Sequence, residues 1–180
     1  MRQRFLAGAL ALAFLVAGCG GQAKNAQEEN GPAITWSDHV CEVVRAGGVS
    51  LSQLPAVDPS APAKAKDSLV VYLGSLSDAL TRLSAGITKE GAPPVNDGQA
   101  TLDRAMTTLN ATKSSVDTAK TKLATAAVTD QATFEAAVSD ASTAFAKLGS
   151  TEGPTKDLKD NPELAKAFGK APNCRNLDGA

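Results

Sequence analysis

Leucines recur at steps of four and three residues in the middle of the chain, and this spacing predicts a long amphipathic helix. From Leu69 onward the apolar steps are 4, 3, 4, 3 and 4, so these side chains share one helix face. The helix is expected over residues 63–87, with Gly86 and residues 91–94 ending it. The seam consists of Leu69, Leu73, Leu76, Leu80, Leu83 and Ile87.

Two further segments repeat the pattern of this helix, which is the second of the predicted helices in chain order. A third helix is predicted over residues 96–127, where large and small apolar residues alternate and allow close approach of a partner helix. A fourth is predicted over residues 130–148. Their expected N-caps are Asn96 or Asp97 and Thr129 or Asp130. The two seams consist of Leu102, Ala105, Leu109, Thr112, Val116, Ala119, Leu123 and Ala126, and of Phe134, Val138, Ala141, Phe145 and Leu148.

Shorter helices are predicted at both ends of this region. A first helix over residues 35–46 places Trp36, Val40 and Val43 on one face and is expected to end at Gly47 and Gly48. Three prolines over residues 49–62 exclude a helix interior there. After a break at residues 153–154, a short helix is expected with Asn161 as N-cap and Pro162 as its first residue.

No segment alternates in the manner of a strand, and the two Asp-Gly pairs have no strands to join. The pattern therefore predicts an all-α fold, a four-helix bundle with a short extra C-terminal helix.

The N-terminus follows a different pattern. Arg2 and Arg4 precede an apolar run over residues 5–17 that only Gly8 interrupts, and small residues follow. This arrangement is typical of a secretory signal peptide rather than of a folded segment. The run is also shorter than the roughly 20 apolar residues that span a bilayer.

The end of this segment resembles the lipobox of bacterial lipoproteins. Leu15-Val16-Ala17-Gly18-Cys19 has an aliphatic residue, small residues and then cysteine. The resemblance implies a diacylglyceryl group on the Cys19 thiol, cleavage between Gly18 and Cys19, and acyl chains such as palmitate in the membrane. Two chains anchor far better than one. The alternative is an ordinary signal peptide with Cys19 free or paired.

Removal of residues 1–18 leaves 162 residues, enough for one domain. Residues 19–33 contain no aliphatic residue larger than alanine, so we interpret them as the lipidated cysteine and a flexible tether, followed by a helical domain over residues 34–177. The loss of Arg2 and Arg4 leaves 16 basic against 19 acidic side chains, a formal charge of -3. Mixed charges without a basic stripe argue against nucleic acid as a partner.

If Cys19 carries lipid, Cys41 and Cys174 are left as a pair. Exported proteins meet an oxidising environment, so the pair predicts one disulfide that closes the domain. Two separate thiols are the alternative. No second pair of ligands flanks either cysteine, so neither a metal nor another cofactor is expected.

No pattern of catalytic residues accompanies the fold signal. His39 is the only histidine and stands one residue off the apolar face of the first helix, which favours a boundary or solvent-side position. Asp78, Asp103, Asp117 and Asp140 lie on predicted polar faces and are interpreted as solvated helix surface rather than as paired catalytic acids. No phosphate-binding loop or serine nucleophile motif occurs. We therefore expect no catalytic residues and no enzymatic activity.

The arrangement of helices and cysteines over residues 34–177 also resembles that of small secreted lipoproteins of high-GC Gram-positive bacteria. Those proteins have a similar size, similar helices and a cysteine near each end of the domain. That resemblance implies a cell-envelope protein held by lipid on the outer face of the cytoplasmic membrane, and no binding residues. The expected function is a non-enzymatic module that binds an envelope protein partner or scaffolds a complex. The alternative is a small-ligand binder or carrier with a cavity near Trp36, for which Trp36 and Tyr72 are the candidate lining residues.

Overall fold

The computed structural model describes residues 31–49, 58, 60–146 and 153–175. The signal segment with Gly18 and Cys19, most of the tether, and the predicted positions Leu148 and Gly149 lie outside these residues. Within them the fold is all-helical and contains no strand. The elements are α1 (Pro32–Val49), α2 (Pro62–Glu90), α3 (Gly98–Thr125), α4 (Gln131–Ser142), α5 (Pro154–Lys159), α6 (Pro162–Lys170) and a 3-10 turn (Pro172–Cys174).

Helices α2 and α3 pack against each other along their length and form the centre of the fold. The predicted seam of α3 is confirmed, because six of its eight residues are buried and only Thr112 and Ala126 are half-buried. In α2, Leu80 and Ile87 are buried, while the other four seam leucines are half-buried.

The other helices cover different parts of this pair. Helices α1, α5 and α6 enclose a larger core with the C-terminal half of α2 and the N-terminal half of α3. Helix α4 covers a smaller core at the opposite end, built on Ala119 and Leu123 of α3 and Ala137 and Ala141 of α4. The molecule therefore has two apolar cores along one central helix pair.

The predicted disulfide between Cys41 and Cys174 is present, with 5.1 Å between the two Cα atoms. It joins α1 to the 3-10 turn. Beside it, the backbone N–H of Asn173 donates to Asp38 Oδ1 at 2.7 Å, and the Asn173 side-chain amide donates to Asp38 Oδ2 at 2.8 Å. A covalent bond and two hydrogen bonds to a carboxylate thus hold the C-terminal turn on α1.

Not every glycine predicted to end a helix does so. Helix α1 continues through Gly47 and Gly48 to Val49, so its predicted end was wrong. Helix α2 continues through Gly86, where one of its two predicted stops was placed, and ends at Glu90. A Cβ at Gly86 would come within 2.5 Å of the Val43 side chain, so this glycine permits close packing of α1 on α2. The stop predicted at residues 91–94 is confirmed, because Gly91 is the C-cap of α2 and its φ of 71° lies in the left-handed region that favours glycine.

The start of α4 is as predicted and its end is not. Asp130 is the N-cap, and its carboxylate accepts from Thr133 N at 2.9 Å in a capping box. The helix ends at Ser142, and a turn that includes Phe145 follows it. Because Phe145 lies in this turn, it is not at the helical seam position that was predicted for it. Its side chain is half-buried and packs against both cores.

At the C-terminal end, the short helix beginning at Pro162 is confirmed. Asn161 Oδ1 accepts from Glu163 N at 3.0 Å and from Leu164 N at 3.2 Å, and Asn161 Nδ2 donates to the Asn96 carbonyl oxygen at 2.8 Å. The cap therefore also attaches α6 to the loop between α2 and α3. Helix α5 was not predicted, and it contributes the buried Leu158 to the larger core.

Helix α3 begins in a way that its sequence did not indicate. Asp97 occupies the N-cap position, but its φ of 55° is left-handed and its side chain makes no capping hydrogen bond. The next residue, Gly98, is buried, and a Cβ there would collide with the backbone carbonyl oxygen of Pro93. The loop can fold back onto the start of α3 because position 98 has no side chain.

We expect Gly98→Ala to destabilise the protein by about 1–3 kcal/mol, because a backbone oxygen cannot move aside as a flexible side chain can. The matched control is Gly47→Ala, also in a helix but with nothing within 4 Å of the added Cβ. There alanine should stabilise the fold by about 0.5–1 kcal/mol. Urea unfolding followed by circular dichroism measures both. Equal effects of the two substitutions would contradict this account of Gly98.

Candidate functional site

Trp36 lies in the larger core and joins two helices. It is 6% exposed, and its indole N–H donates to the Gly91 carbonyl oxygen at 3.0 Å. Gly91 is the residue at which α2 ends, so Trp36 attaches α1 to that end. These contacts are those of a packing anchor.

Tyr72 lies on α2, near the smaller core, and is half-buried. Its neighbour Val71 is 70% exposed and is the one large hydrophobic side chain that the described surface leaves open. The structure does not bring Tyr72 and Trp36 together, because Trp36 packs at the C-terminal end of α2 and Tyr72 lies in the N-terminal half of that helix.

His39 is on the solvent side of α1, as expected from its position off the apolar face. Its side chain is 52% exposed, and Nδ1 lies 3.1 Å from Glu90 Oε2 at the end of α2. The pair links two helix surfaces.

The side chain of Asp117 is 44% exposed, and it also makes a contact between helices that the sequence did not indicate. Its carboxylate accepts from the Ser77 hydroxyl of α2 at 2.6 Å and from Lys113 Nζ of its own helix at 2.7 Å. Ser77 is buried. The bond from Lys113, and then the bond from Ser77, lower the pKa of the Asp117 carboxyl below its ordinary value. Asp117 therefore provides a polar bridge between the two central helices.

The remaining predicted surface carboxylates are exposed. Asp78 and Asp103 are on the solvent sides of α2 and α3, and Asp103 accepts from Gln99 at 2.8 Å. Asp140 lies 3.2 Å from Lys122 Nζ. Among the residues that the structure describes, no group of three or more His, Cys, Asp or Glu side chains could hold a metal ion.

Among the described residues, one feature with the geometry of a binding site is an apolar cleft of about 210 Å³ in the larger core. We call it the core cleft. Helices α1, α2, α3, α5 and α6 all contribute to it, and none of its side chains is charged. Its lining consists of the buried Val40, Cys41, Leu80, Ile87, Leu109, Leu158 and Phe168 and the half-buried Val44, Leu83, Thr112, Pro154 and Thr155.

The expected lining residues are not those observed. Val40 and Cys41 follow Trp36 by about one helical turn, so the cleft is close to the predicted place on α1, yet neither Trp36 nor Tyr72 lines it. The seam pattern did contain Leu80, Leu83, Ile87 and Leu109, but only as core positions. Nothing in their spacing distinguishes a seam residue beside a cleft from one in a filled core.

Another depression, of about 470 Å³, follows the surface of α3 around Lys113, Asp117 and Lys122. All of its lining residues belong to that single helix, so it cannot enclose a ligand. The core cleft is therefore the better candidate site.

The chain matches no known protein-family model, and comparisons with curated proteins and with solved structures also find no match. None of the helices in the described ranges is both long and apolar enough to cross a membrane.

Stability should depend on pH through Asp117. Since its pKa is lowered on folding, the stabilisation is present above the unfolded-state pKa of about 3.8 and is lost as pH falls through the folded-state pKa. We expect Asp117→Asn to lower stability at pH 7 by about 0.5–1 kcal/mol, since the carboxylate is partly screened by water. It should also flatten the decline below about pH 4.

Urea unfolding from pH 7 to pH 2.5 measures this dependence. Ser77→Ala, which removes the donor on the other helix, provides the second arm of a double-mutant cycle. Additive effects of the two substitutions, or an unchanged pH slope in Asp117→Asn, would exclude the bridge as the origin of the dependence.

Proposed function

We propose that this protein is a lipid-anchored, extracytoplasmic module of the cell envelope that binds a small apolar ligand between its helices and catalyses no reaction. The core cleft is the observation that supports the binding function. It is apolar, it involves five helices, and its inner surface consists of buried side chains.

The protein-binding or scaffolding alternative has less support. A large contiguous apolar patch on the surface would mark an interaction site, whereas a single exposed apolar residue is ordinary. Val71 is such a residue within the described surface. We therefore place the ligand binder first and keep an envelope protein partner as the second proposal.

Anchoring rests on the lipobox of the sequence, Leu15 to Cys19, and on its distance from Arg2 and Arg4. Lipid on Cys19 places the tether on the outer face of the cytoplasmic membrane, with the helical domain attached to that tether. The disulfide between Cys41 and Cys174 supports this location, because such bonds persist in oxidising compartments.

We also retain the four-helix bundle as a proposal about topology. Its support is that α1 packs on α2, α2 on α3, and α4 on α3, which are contacts between helices consecutive in sequence. Helices α5 and α6 would then form a C-terminal layer against α3 and α1.

The anchor is tested by mass spectrometry of the mature protein from membranes of a lipoprotein-processing bacterium. We expect a chain that begins at Cys19 and carries a diacylglyceryl group, and we expect the protein to fractionate with membranes. Cys19→Ser should lose both the lipid mass and the membrane fraction. An unmodified Cys19 in the wild-type protein would refute the anchor.

The binding function is tested by native mass spectrometry of the wild-type protein purified in mild detergent from its own membranes. We expect a non-covalent small-molecule adduct that disappears on denaturation, because an apolar ligand in a partly enclosed cleft dissociates when the core unfolds. A stoichiometric co-purifying protein without such an adduct would favour the scaffold function instead. If the protein carries neither a small-molecule adduct nor a stoichiometric protein partner, both proposed binding functions are contradicted.

A further inference from the structure

We infer that the core cleft selects compact, uncharged apolar molecules of about the size of a singly substituted benzene ring. This inference rests on the proposed ligand-binding function and names the class of ligand. It follows from the volume of the cleft, the absence of charge in its lining, and the division of that lining into a buried inner part and a half-buried outer part.

The volume sets an upper limit on ligand size. The cleft measures about 210 Å³. A dry cavity of about 150 Å³ lined by aliphatic and aromatic residues is known to bind benzene, whereas sites for drug-sized ligands start at about 300 Å³. One ring with a small substituent, or a short branched alkyl group, therefore fits, and a larger molecule would have to push helices apart.

The chemistry of the lining excludes charged ligands. Ten of the twelve lining residues offer no polar side-chain group that could bind an ion, and the sulfur of Cys41 is already bonded to Cys174. The other two are Thr112, whose hydroxyl donates to the Thr108 carbonyl oxygen at 2.9 Å, and Thr155. A charged ligand would lose its hydration and gain no ionic partner, which is strongly unfavourable.

Access does not require the protein to unfold. The buried part of the lining is formed by residues such as Ile87, Leu109 and Leu158, all 2% exposed or less. Val44 and Leu83 belong to the half-buried part, with Pro154 and Thr155 of α5. Small-molecule entry between α1, α2 and the start of α5 is therefore compatible with the folded core.

Apolar side chains that line a cleft make fewer dispersion contacts than they would in a filled core. A compact apolar ligand restores those contacts at little conformational cost. A ligand with several polar groups would leave them without partners, which again favours an uncharged apolar molecule.

The test uses the full chain in detergent with 13C-labelled methyl groups and toluene as the probe. Equilibration with toluene vapour fixes the activity of the probe, whatever amount enters the micelles. We expect saturable shifts in the methyl resonances of Val40, Leu80, Ile87, Leu109 and Leu158. The methyls of Val71, exposed on α2, report non-specific binding and should not change.

Val44→Phe and Leu83→Phe each place a ring in the outer part of the cleft, and either should weaken toluene binding at least tenfold. Val71→Phe is the matched control and should bind as the wild type does. A methyl spectrum recorded without toluene checks that each variant is folded. If Val44→Phe does not fold, Leu83→Phe is used in its place. Wild-type affinity in a folded cleft variant would overturn the assignment of the site.

Benzylammonium has nearly the shape of toluene and carries a positive charge. We expect it to bind at least tenfold more weakly than toluene at pH 7. Equal binding of the two, or no toluene shifts at the cleft methyls, would overturn the inferred ligand class. If native mass spectrometry still detects a small-molecule adduct in either case, the proposed ligand-binding function stands and only the inferred ligand class fails. Failure of the ligand class can therefore be distinguished from failure of the proposed function.

Discussion

The bond between Cys41 and Cys174 determines how the two ends of the described chain meet. The helices near the C-terminus are short, six and nine residues, and helices of that length are not stable alone in water. They become part of the fold by burying Leu158, Leu164 and Phe168 in the larger core. The 3-10 turn beyond them is held on α1 by the disulfide and by the paired hydrogen bonds between Asn173 and Asp38. A disulfide typically contributes about 2–4 kcal/mol to stability.

The attachment of the 3-10 turn to α1 also positions the walls of the core cleft. Cys41 is itself a lining residue, and Phe168 lies on α6, between the Asn161 cap and the 3-10 turn. The cap attaches the start of α6 to the loop before α3 through Asn96, while the disulfide fixes the chain just beyond its end. Phe168 is thus held from both sides, and the cleft keeps a defined shape although two of its five helices are short.

The central pair α2 and α3 divides the protein into two parts with different packing. At one end, α4 covers a small core of alanines and one leucine, where small residues let helices approach closely. At the other end, large side chains from five helices meet and leave the cleft. The polar bridge from Ser77 to Asp117 lies between the central helices. A lipid-anchored binder would place its apolar ligand in the second part, joined to the membrane through the N-terminus of α1.

Local patterns in the sequence determined the helical class, the seams of α2 and α3, the caps Asp130 and Asn161, and the pairing of Cys41 with Cys174. Each of these depends on neighbouring residues or on simple cysteine counting, as do the signal segment and lipobox, which stay predictions. Tertiary structure alone decided that Gly86 serves close packing rather than helix termination and that Gly98 lies against the backbone oxygen of Pro93. It also decided that Asp97 is left-handed and that Asp117 bridges two helices. It also decided the core cleft, because an unfilled volume depends on how side chains from five separate helices fit together, and no spacing along the chain records that fit.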